Sequence, residues 1–312
     1  MSAAGKGTVF WGTPAIAAEC MRALHAAGEE LVGVISQPDK PVGRARRLAA
    51  PPVKALALEL GIECVQPVKL RTSELAHWLR RRAPYACIVV AYGKIIPSEL
   101  LEIPTCFLNL HFSLLPAYRG AAPVQRALID GCADTGVTVQ HLAPELDTGD
   151  VILQEHVAID DTDTTATLLQ KCVARGAPLL VRALAELRAG TAPRVPQDHA
   201  GATYAAKLTR ADGVIDWQAS ARAIHNRVRA CNPWPGCTTT LGKDVLKIWR
   251  TAVADEAGHR LAPGTIEATR THLRVAAGDG VLDILELQPA GRARMPAAAF
   301  LAGHAVNGQV LT

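Results

Sequence analysis

Asn109 and His111 stand two residues apart at the end of the apolar run CFLNLH, residues 106–111. In an extended chain, alternate side chains share a face, so a carboxamide and an imidazole should point into the same space. Asp147, within LDTGD at 146–150, can join them from a second loop. The set suits transfer of an acyl group to an amine. An imidazole handles protons near neutral pH. A carboxamide donates to a developing oxyanion without titrating. A carboxylate can orient the imidazole and help move the amine proton. Taken singly, a histidine on a strand is usually a satisfied structural residue, and Asp-Thr-Gly is good turn chemistry. The chemical reading therefore requires the three to meet in space.

Ser113, Leu114, Leu115 and Pro116 follow the strand directly. Two leucines and a proline make an apolar wall, and the serine and free backbone groups add polar contacts, which suits a flat heteroaromatic ligand such as a pterin. VVAYG at 89–93, with Val90, Tyr92 and Gly93, can supply backbone hydrogen bonds to the same ligand. Gly12-Thr13-Pro14 lacks the spacing of a dinucleotide or P-loop fingerprint. The histidines are dispersed, with no metal-ligand spacing, so no metal site is expected. The stretch 40–54 carries Lys40, Arg44, Arg46, Arg47 and Lys54 with no acid. It reads either as a solvated loop or as a phosphate-contacting insert beside the site. Lys207, Arg210, Lys243, Lys247 and Arg250 could extend a basic track.

These groups need a scaffold, and residues 8–190 alternate strand-like with helix-like segments. Strands are expected at 8–12, 31–35, 86–93 and 106–111, with helices at 14–27, 53–60, 72–82, 122–130 and 164–189. GVTVQHL and DVILQEHVAI form a strand pair around the LDTGD loop. Such alternation implies an open, mostly parallel, Rossmann-like α/β sheet. Ligands of such sheets lie beyond the carboxyl ends of the strands, where Gly12, Gly93 and His111 fall. Residues 191–212, with Pro193 and Pro196, read as a linker. Beyond it, a helix near 219–230 precedes the runs CTTTL, VLKIWR, GTIEAT, HLRVAA and VLDILELQ. Short strands at this spacing suggest a small C-terminal β-barrel, OB-like in type. The expected division is thus 1–190, a 191–212 linker and 213–312.

The bulk properties set limits. A chain of 312 residues favours two domains. With 49% hydrophobic and 20% charged residues it can bury ordinary cores and is not a disordered chain. A formal charge of +4 permits a nucleic-acid partner without requiring one. The eight cysteines are scattered without C-x-x-C spacing, as expected of reduced thiols in a cytoplasmic protein. No run is long enough to span a membrane, and no targeting segment is evident.

Several motifs in order carry a resemblance over essentially the whole chain: VFWGTP, QPDKPVGR, PPVKALA, VVAYGKIIP, NLHFSLLPAYRGAAPVQRAL, ELDTGDV, TYAAKL, IDW, NPWPG and GDGVLDILELQPAGR. The chain resembles the methionyl-tRNA formyltransferases. The Asn/His/SLLP/Asp set is common to folate-dependent formyltransferases at large, while the QPDKPVGR insert, RGAAPVQ, NPWPG and QPAGR favour the tRNA enzymes. The resemblance implies transfer of a formyl group from 10-formyltetrahydrofolate to the α-amino group of methionine on initiator tRNA. It implies Asn109, His111 and Asp147 as catalytic, residues 113–116 with Val90, Tyr92 and Gly93 at the folate, and Lys40, Arg44, Arg46, Arg47 and Lys207 at the tRNA. A C-terminal tRNA-binding domain and a monomer acting in the cytoplasm away from membranes are further expectations. Trp11, Phe112 and Pro144-Glu145 depart from the family pattern. Competing readings are a formyltransferase for an amino-sugar nucleotide or purine precursor, a non-enzymatic tRNA-binding protein, and a folate-binding hydrolase.

Overall fold

A computed structural model describes residue 5 and residues 7–43, 46–256 and 261–312, with the side chain of Val42 excepted. Arg44, one of the residues expected at the tRNA, lies outside the described residues. The chain divides into two compact units, one comprising residues up to 121 with 134–158 and 169–205, the other 122–133, 159–168 and 206–312.

The strands of the first unit are β1 (Thr8–Gly12), β2 (Leu31–Ile35), β3 (Lys40–Val42), β4 (Arg47–Ala49), β5 (Cys64–Val65), β6 (Ala86–Val90), β7 (Cys106–His111), β8 (Arg119–Gly120), β9 (Asp134–His141), β10 (Val151–Ala158) and β11 (Tyr204–Ala205). Seven form one sheet in the order β10-β9-β7-β6-β1-β2-β5. The pairs from β7 through β6, β1 and β2 to β5 are parallel, and β9 and β10 add antiparallel partners at one edge. β1 and β6 are buried along their whole length, as their near-continuous apolar runs require of central parallel strands. Helices α1 (Ala15–Ala26), α2 (Pro52–Glu59), α3 (Ser73–Arg82) and a short α4 (Ser98–Leu101) connect them. Trp11 fills the core on one side of the sheet, with its ring edge-on to Tyr92 at 5.3 Å and tilted against Phe107 at 5.7 Å. The bulk at position 11 is therefore absorbed in the core.

The described residues of the basic stretch after β2 include a pair of short strands. β3 and β4 pair antiparallel, with Lys40 opposite Ala49 and Val42 opposite Arg47. Lys54 does not extend the exposed basic group, because its Nζ meets both oxygens of Asp39 at 2.9 Å.

The second unit contains α5 (Pro123–Ile129), α7 (Ala221–Ala230) and α8 (Ala297–Leu301), and α6 (Thr165–Ala189) begins among its residues. Its strands are β12 (Cys237–Leu241), β13 (Asp244–Asp255), β14 (Ile266–Ala268), β15 (Leu273–Ala276), β16 (Val281–Pro289) and β17 (Met295–Pro296). They form an antiparallel sheet in the order β12-β13-β16-β15-β14, with β17 on β16. The two edges do not stay open. Leu311 bridges to Leu241 on β12, and Val310 bridges to Thr265 beside β14. Thr312 and Thr240 exchange backbone bonds of 2.8 and 3.0 Å, while Leu311 donates to Gly264 and Ile266 donates to Gln309, each at 2.8 Å. Residues 308–312 thereby close the sheet into a small barrel. Its interior is the apolar cluster of Val228, Leu246, Ile248, Val275, Leu282, Leu287 and their neighbours.

Candidate active site

The three residues singled out in the sequence meet at the carboxyl end of β7. Asn109 lies opposite Gln140 on β9, and His111 lies opposite Thr138. Directly paired residues present their side chains to the same face, and Gln154 on β10 continues the row, because it pairs with Thr138. Asp147 enters from the loop between β9 and β10. Its Oδ2 accepts from the Gly120 backbone N–H at 2.8 Å, and its Oδ1 accepts from Gln140 Nε2 at 3.1 Å and Asn109 Nδ2 at 3.4 Å. His111 Nδ1 faces Oδ2 at 3.7 Å. Both side chains are largely buried, at 7% and 10% exposure, so the pair sits in a weakly screened environment.

The tautomer of His111 follows from its other nitrogen. Nε2 lies 2.9 Å from the Tyr118 carbonyl, which can only accept, so Nε2 carries a proton. Nδ1 is the nitrogen that this bond leaves open to another partner, and it is the one turned to Asp147. The loop that holds Asp147 is tightly packed at two positions. Asp147 is in the left-handed region at φ 54°. A Cβ at Gly149 would fall 1.8 Å from the His141 carbonyl oxygen, so only glycine fits there.

The 113–116 loop is tied to the same polar row. Thr138 Oγ1 donates to Ser113 O at 2.6 Å and accepts from Leu115 N at 3.1 Å. Gln154 Nε2 donates to Leu115 O at 2.8 Å. Ser113 is fully buried and its hydroxyl donates to Ala117 O, which makes it a brace of the loop. Leu115 is buried, whereas Leu114 and Pro116 are partly exposed. Next to β7, the chain leaves β6 after Val90 through left-handed Ala91 (φ 46°) and Gly93 (φ 80°), both exposed. Val90 and the Tyr92 ring are buried, and burial pushes the Tyr92 phenol up to about 12. What this turn can offer a ligand is backbone. The Tyr92 carbonyl is already met by Gln37 Nε2 at 2.6 Å. Among the residues expected at the tRNA, Lys40, Arg46 and Arg47 are brought together as exposed residues of the β3–β4 hairpin, and Lys207 belongs to the other unit.

Four buried groups at the site were not anticipated: Arg119, Thr138, Gln140 and Gln197. Thr138 and Gln140 were legible, being polar residues that alternate with Val137 and Val139 in a strand otherwise apolar. Gln197 lies in the proline-bearing stretch that reads as linker, and no local pattern marks it. Among the described residues, no group of three or more His, Cys, Asp or Glu is placed to hold a metal.

Comparison with known proteins bears directly on this arrangement. The formyl transferase family model matches residues 6–184, and the formyl transferase C-terminal domain model matches 207–305. The methionyl-tRNA formyltransferase of Symbiobacterium thermophilum is 45% identical over 302 residues, covering 96% of this chain and 93% of that protein. That of Moorella thermoacetica is 43% identical over 306 residues, covering 97% and 98%. The chain belongs to the methionyl-tRNA formyltransferase family. The fold of this family member is shared with more distant proteins. The N-formyltransferase of Helicobacter canadensis, solved with folinic acid and dTDP-3-aminofucose, superposes with a TM-score of 0.68 at 18% identity, covering 90% of this chain and 99% of that one. HypX of Aquifex aeolicus, solved with tetrahydrofolic acid, gives a TM-score of 0.66 at 16% identity, and the chain spans 95% of its own length but only 47% of HypX. Among the described residues of this formyltransferase, no helix is long and apolar enough to cross a membrane.

Proposed function

We propose that the protein transfers the formyl group of 10-formyltetrahydrofolate to the α-amino group of methionine carried on initiator tRNA. The convergence of Asn109, His111 and Asp147 at the carboxyl end of β7 supports this reading most strongly. The relatives at 42–45% identity are named methionyl-tRNA formyltransferases, and two proteins of the same fold were solved with tetrahydrofolate-type ligands.

The steps follow from the chain's own groups. The folate donor supplies a formyl carbon already bonded to nitrogen, and the incoming amine nitrogen attacks that carbon. Its carbonyl oxygen becomes an oxyanion, to which Asn109 Nδ2 and a protonated His111 Nδ1 can donate. When the tetrahedral centre collapses, the bond to the folate nitrogen breaks, the new amide forms, and the amine's proton passes to the departing nitrogen. Asp147 orients the His111 ring and helps carry that proton. Leu114 and Pro116, with the backbone of Ala91 and Gly93, form the folate wall. Holding both reactants against it turns a bimolecular encounter into an oriented attack. Lys40, Arg46 and Arg47 of the hairpin, with Arg44, meet tRNA phosphates, and the second unit, with Lys207, provides further purchase on the tRNA.

The test is formyl transfer from 10-formyltetrahydrofolate to charged initiator Met-tRNA, with elongator Met-tRNA and an amino-sugar nucleotide as parallel acceptors. Product on initiator Met-tRNA alone is expected. Product only on the sugar would keep the site assignment and overturn the acceptor.

A further inference from the structure

Arg119 is almost fully buried, at 2% exposure, and directly precedes the glycine whose N–H binds Asp147. A buried guanidinium has to be met by acceptors. Nε and Nη2 both donate to Gln197 Oε1, at 3.1 and 2.7 Å, and Nη2 lies 3.2 Å from His199 Nδ1. Because a guanidinium only donates, this contact fixes which end of the Gln197 amide is oxygen. Nε2 of Gln197 must then point the other way. There it meets the Gly149 carbonyl at 2.7 Å, the Asp147 carbonyl at 2.9 Å and Gln140 Oε1 at 3.1 Å. With its oxygen accepting from Gln197, Gln140 turns its own Nε2 onto Asp147 Oδ1 at 3.1 Å. The bonds run in one direction only, from Arg119 through Gln197 and Gln140 to the Asp147 carboxylate. A second branch from Gln197 grips the backbone of the same loop on both sides of Thr148.

We infer that Gln197, oriented by Arg119, is a positioning residue that holds the Asp147 loop in its reactive geometry. The inference rests on the reading of Asp147 as a group that acts in formyl transfer. Two observations and one physical effect support it. Asp147 sits in the left-handed region at φ 54°, which aspartate tolerates better than most residues but still at a cost that the bonds around it offset. Apart from the bonds to the Asp147 carboxylate, contacts among the described residues hold the loop at its ends, through His141 N to Asp150 O, Leu142 N to Phe107 O and the Arg194–Asp150 pair, whereas Gln197 grips its backbone in the middle. Donors arranged in series polarise one another, so the guanidinium strengthens the Gln197 and Gln140 donors beyond what either amide would supply alone. Gln197 touches neither His111 nor Asn109 by any of these bonds, and its effect must pass through Asp147.

Gln197→Glu separates positioning from folding. The new carboxylate keeps an acceptor on Arg119 and gains an ion pair that anchors the side chain, while its second oxygen repels the Asp147 and Gly149 carbonyl oxygens and pushes the loop away. It loses the N–H donors to Asp147 O and Gly149 O. If Gln140 flips to bind the carboxylate, its oxygen is driven against Asp147 Oδ1. Backbone hydrogen exchange over 145–151, measured on the full chain without substrate, should quicken by about tenfold or more, because two hydrogen bonds that close the loop are gone. In formyl transfer to Met-tRNA, kcat should fall by about 10- to 100-fold with KM for both substrates within about twofold of wild type. The melting temperature should change by no more than a few degrees. Gln197→Ala should show the same loop exchange and kcat loss with a lower melting temperature. Wild-type kcat in Gln197→Glu would overturn the inference. So would a kcat loss without faster loop exchange, or a loss confined to KM. If the wild-type chain does not formylate Met-tRNA at all, the functional reading fails, and the exchange comparison still decides whether Gln197 holds the loop.

Discussion

His111 commits its Nε2 proton to the Tyr118 carbonyl at 2.9 Å and leaves Nδ1 facing Asp147 Oδ2 at 3.7 Å. The distance exceeds a hydrogen bond, which suits a pair that tightens around a bound substrate. Two substitutions examine this relationship. His111→Ala removes the oxyanion donor, and Asp147→Asn keeps the size of the side chain while removing its charge. Each should lower kcat by at least about 100-fold. Affinity for Met-tRNA, measured by filter binding, should stay within a few-fold of wild type. Circular dichroism should show both variants folded, since a His111 variant that failed through unfolding would not support its assigned role.

The β3–β4 hairpin carries Arg46 and Arg47 exposed on a short, paired support. Replacing both with Glu should raise KM for Met-tRNA by about tenfold or more while leaving KM for the formyl donor unchanged. Binding measured against salt should show a shallower slope in the variant, because fewer phosphate contacts release counterions.

Gly120 has φ 116°, and a Cβ there would sit 2.9 Å from the Ala205 carbonyl oxygen. Its N–H also holds Asp147 Oδ2. Gly120→Ala therefore strains the backbone and shifts the donor together. A stability loss of about 1–3 kcal/mol is expected in urea melts, with a fall in kcat larger than that loss of folded protein explains.

Two histidines, His141 and His225, are held below the ordinary value of 6.5, each chiefly by burial. His225 donates from Nε2 to the Asp161 carbonyl and meets Thr251 Oγ1 through Nδ1, both at 3.0 Å, with Arg222 and Arg229 opposing a further positive charge. The unfolded chain takes up a proton on each near pH 6.5, and the folded chain resists it. Stability is thus fully present above pH 6.5 and declines as pH falls below it, until the folded-state value is reached. Melting temperature should drop between pH 7 and 5.5, by up to about 3 °C per pH unit for each histidine. In His225→Gln, which keeps an amide donor, that slope should be smaller.

Much of the first unit was legible because its strands carry long apolar runs and its helices carry clear periodicity. The spacing of Asn109 and His111 alone placed two groups on one face of β7. Other parts left little local trace. The β3–β4 hairpin has exposed side chains on β4 and no alternating pattern. Residues 122–133 and 159–168 cluster with the barrel unit, and the choice of neighbour for a helix is set by tertiary packing that a local window does not contain. The Arg119–Gln197–Gln140 chain joins residues that are 78 and 57 positions apart. The bracing role of Ser113 depends on the loop closing onto Ala117, whereas the sequence suggested only a polar contact.

Leu311 is 2% exposed although it lies in the closing segment. Leu311→Ala should cost about 2–5 kcal/mol, as for other buried leucines, and a denaturant melt followed by tryptophan fluorescence, to which Trp217 inside the barrel cluster contributes, would register it.

That closing segment bears on how the protein is made. β14 and the end of β12 at 240–241 both precede residues 308–312 by a long stretch of sequence, so during synthesis these edges stay unpaired until 308–312 emerge. Unpaired edges of this kind are templates for pairing between chains. A chain lacking 308–312 would lose Leu311 from its core and leave both edges open, so it should aggregate more readily than one that carries them.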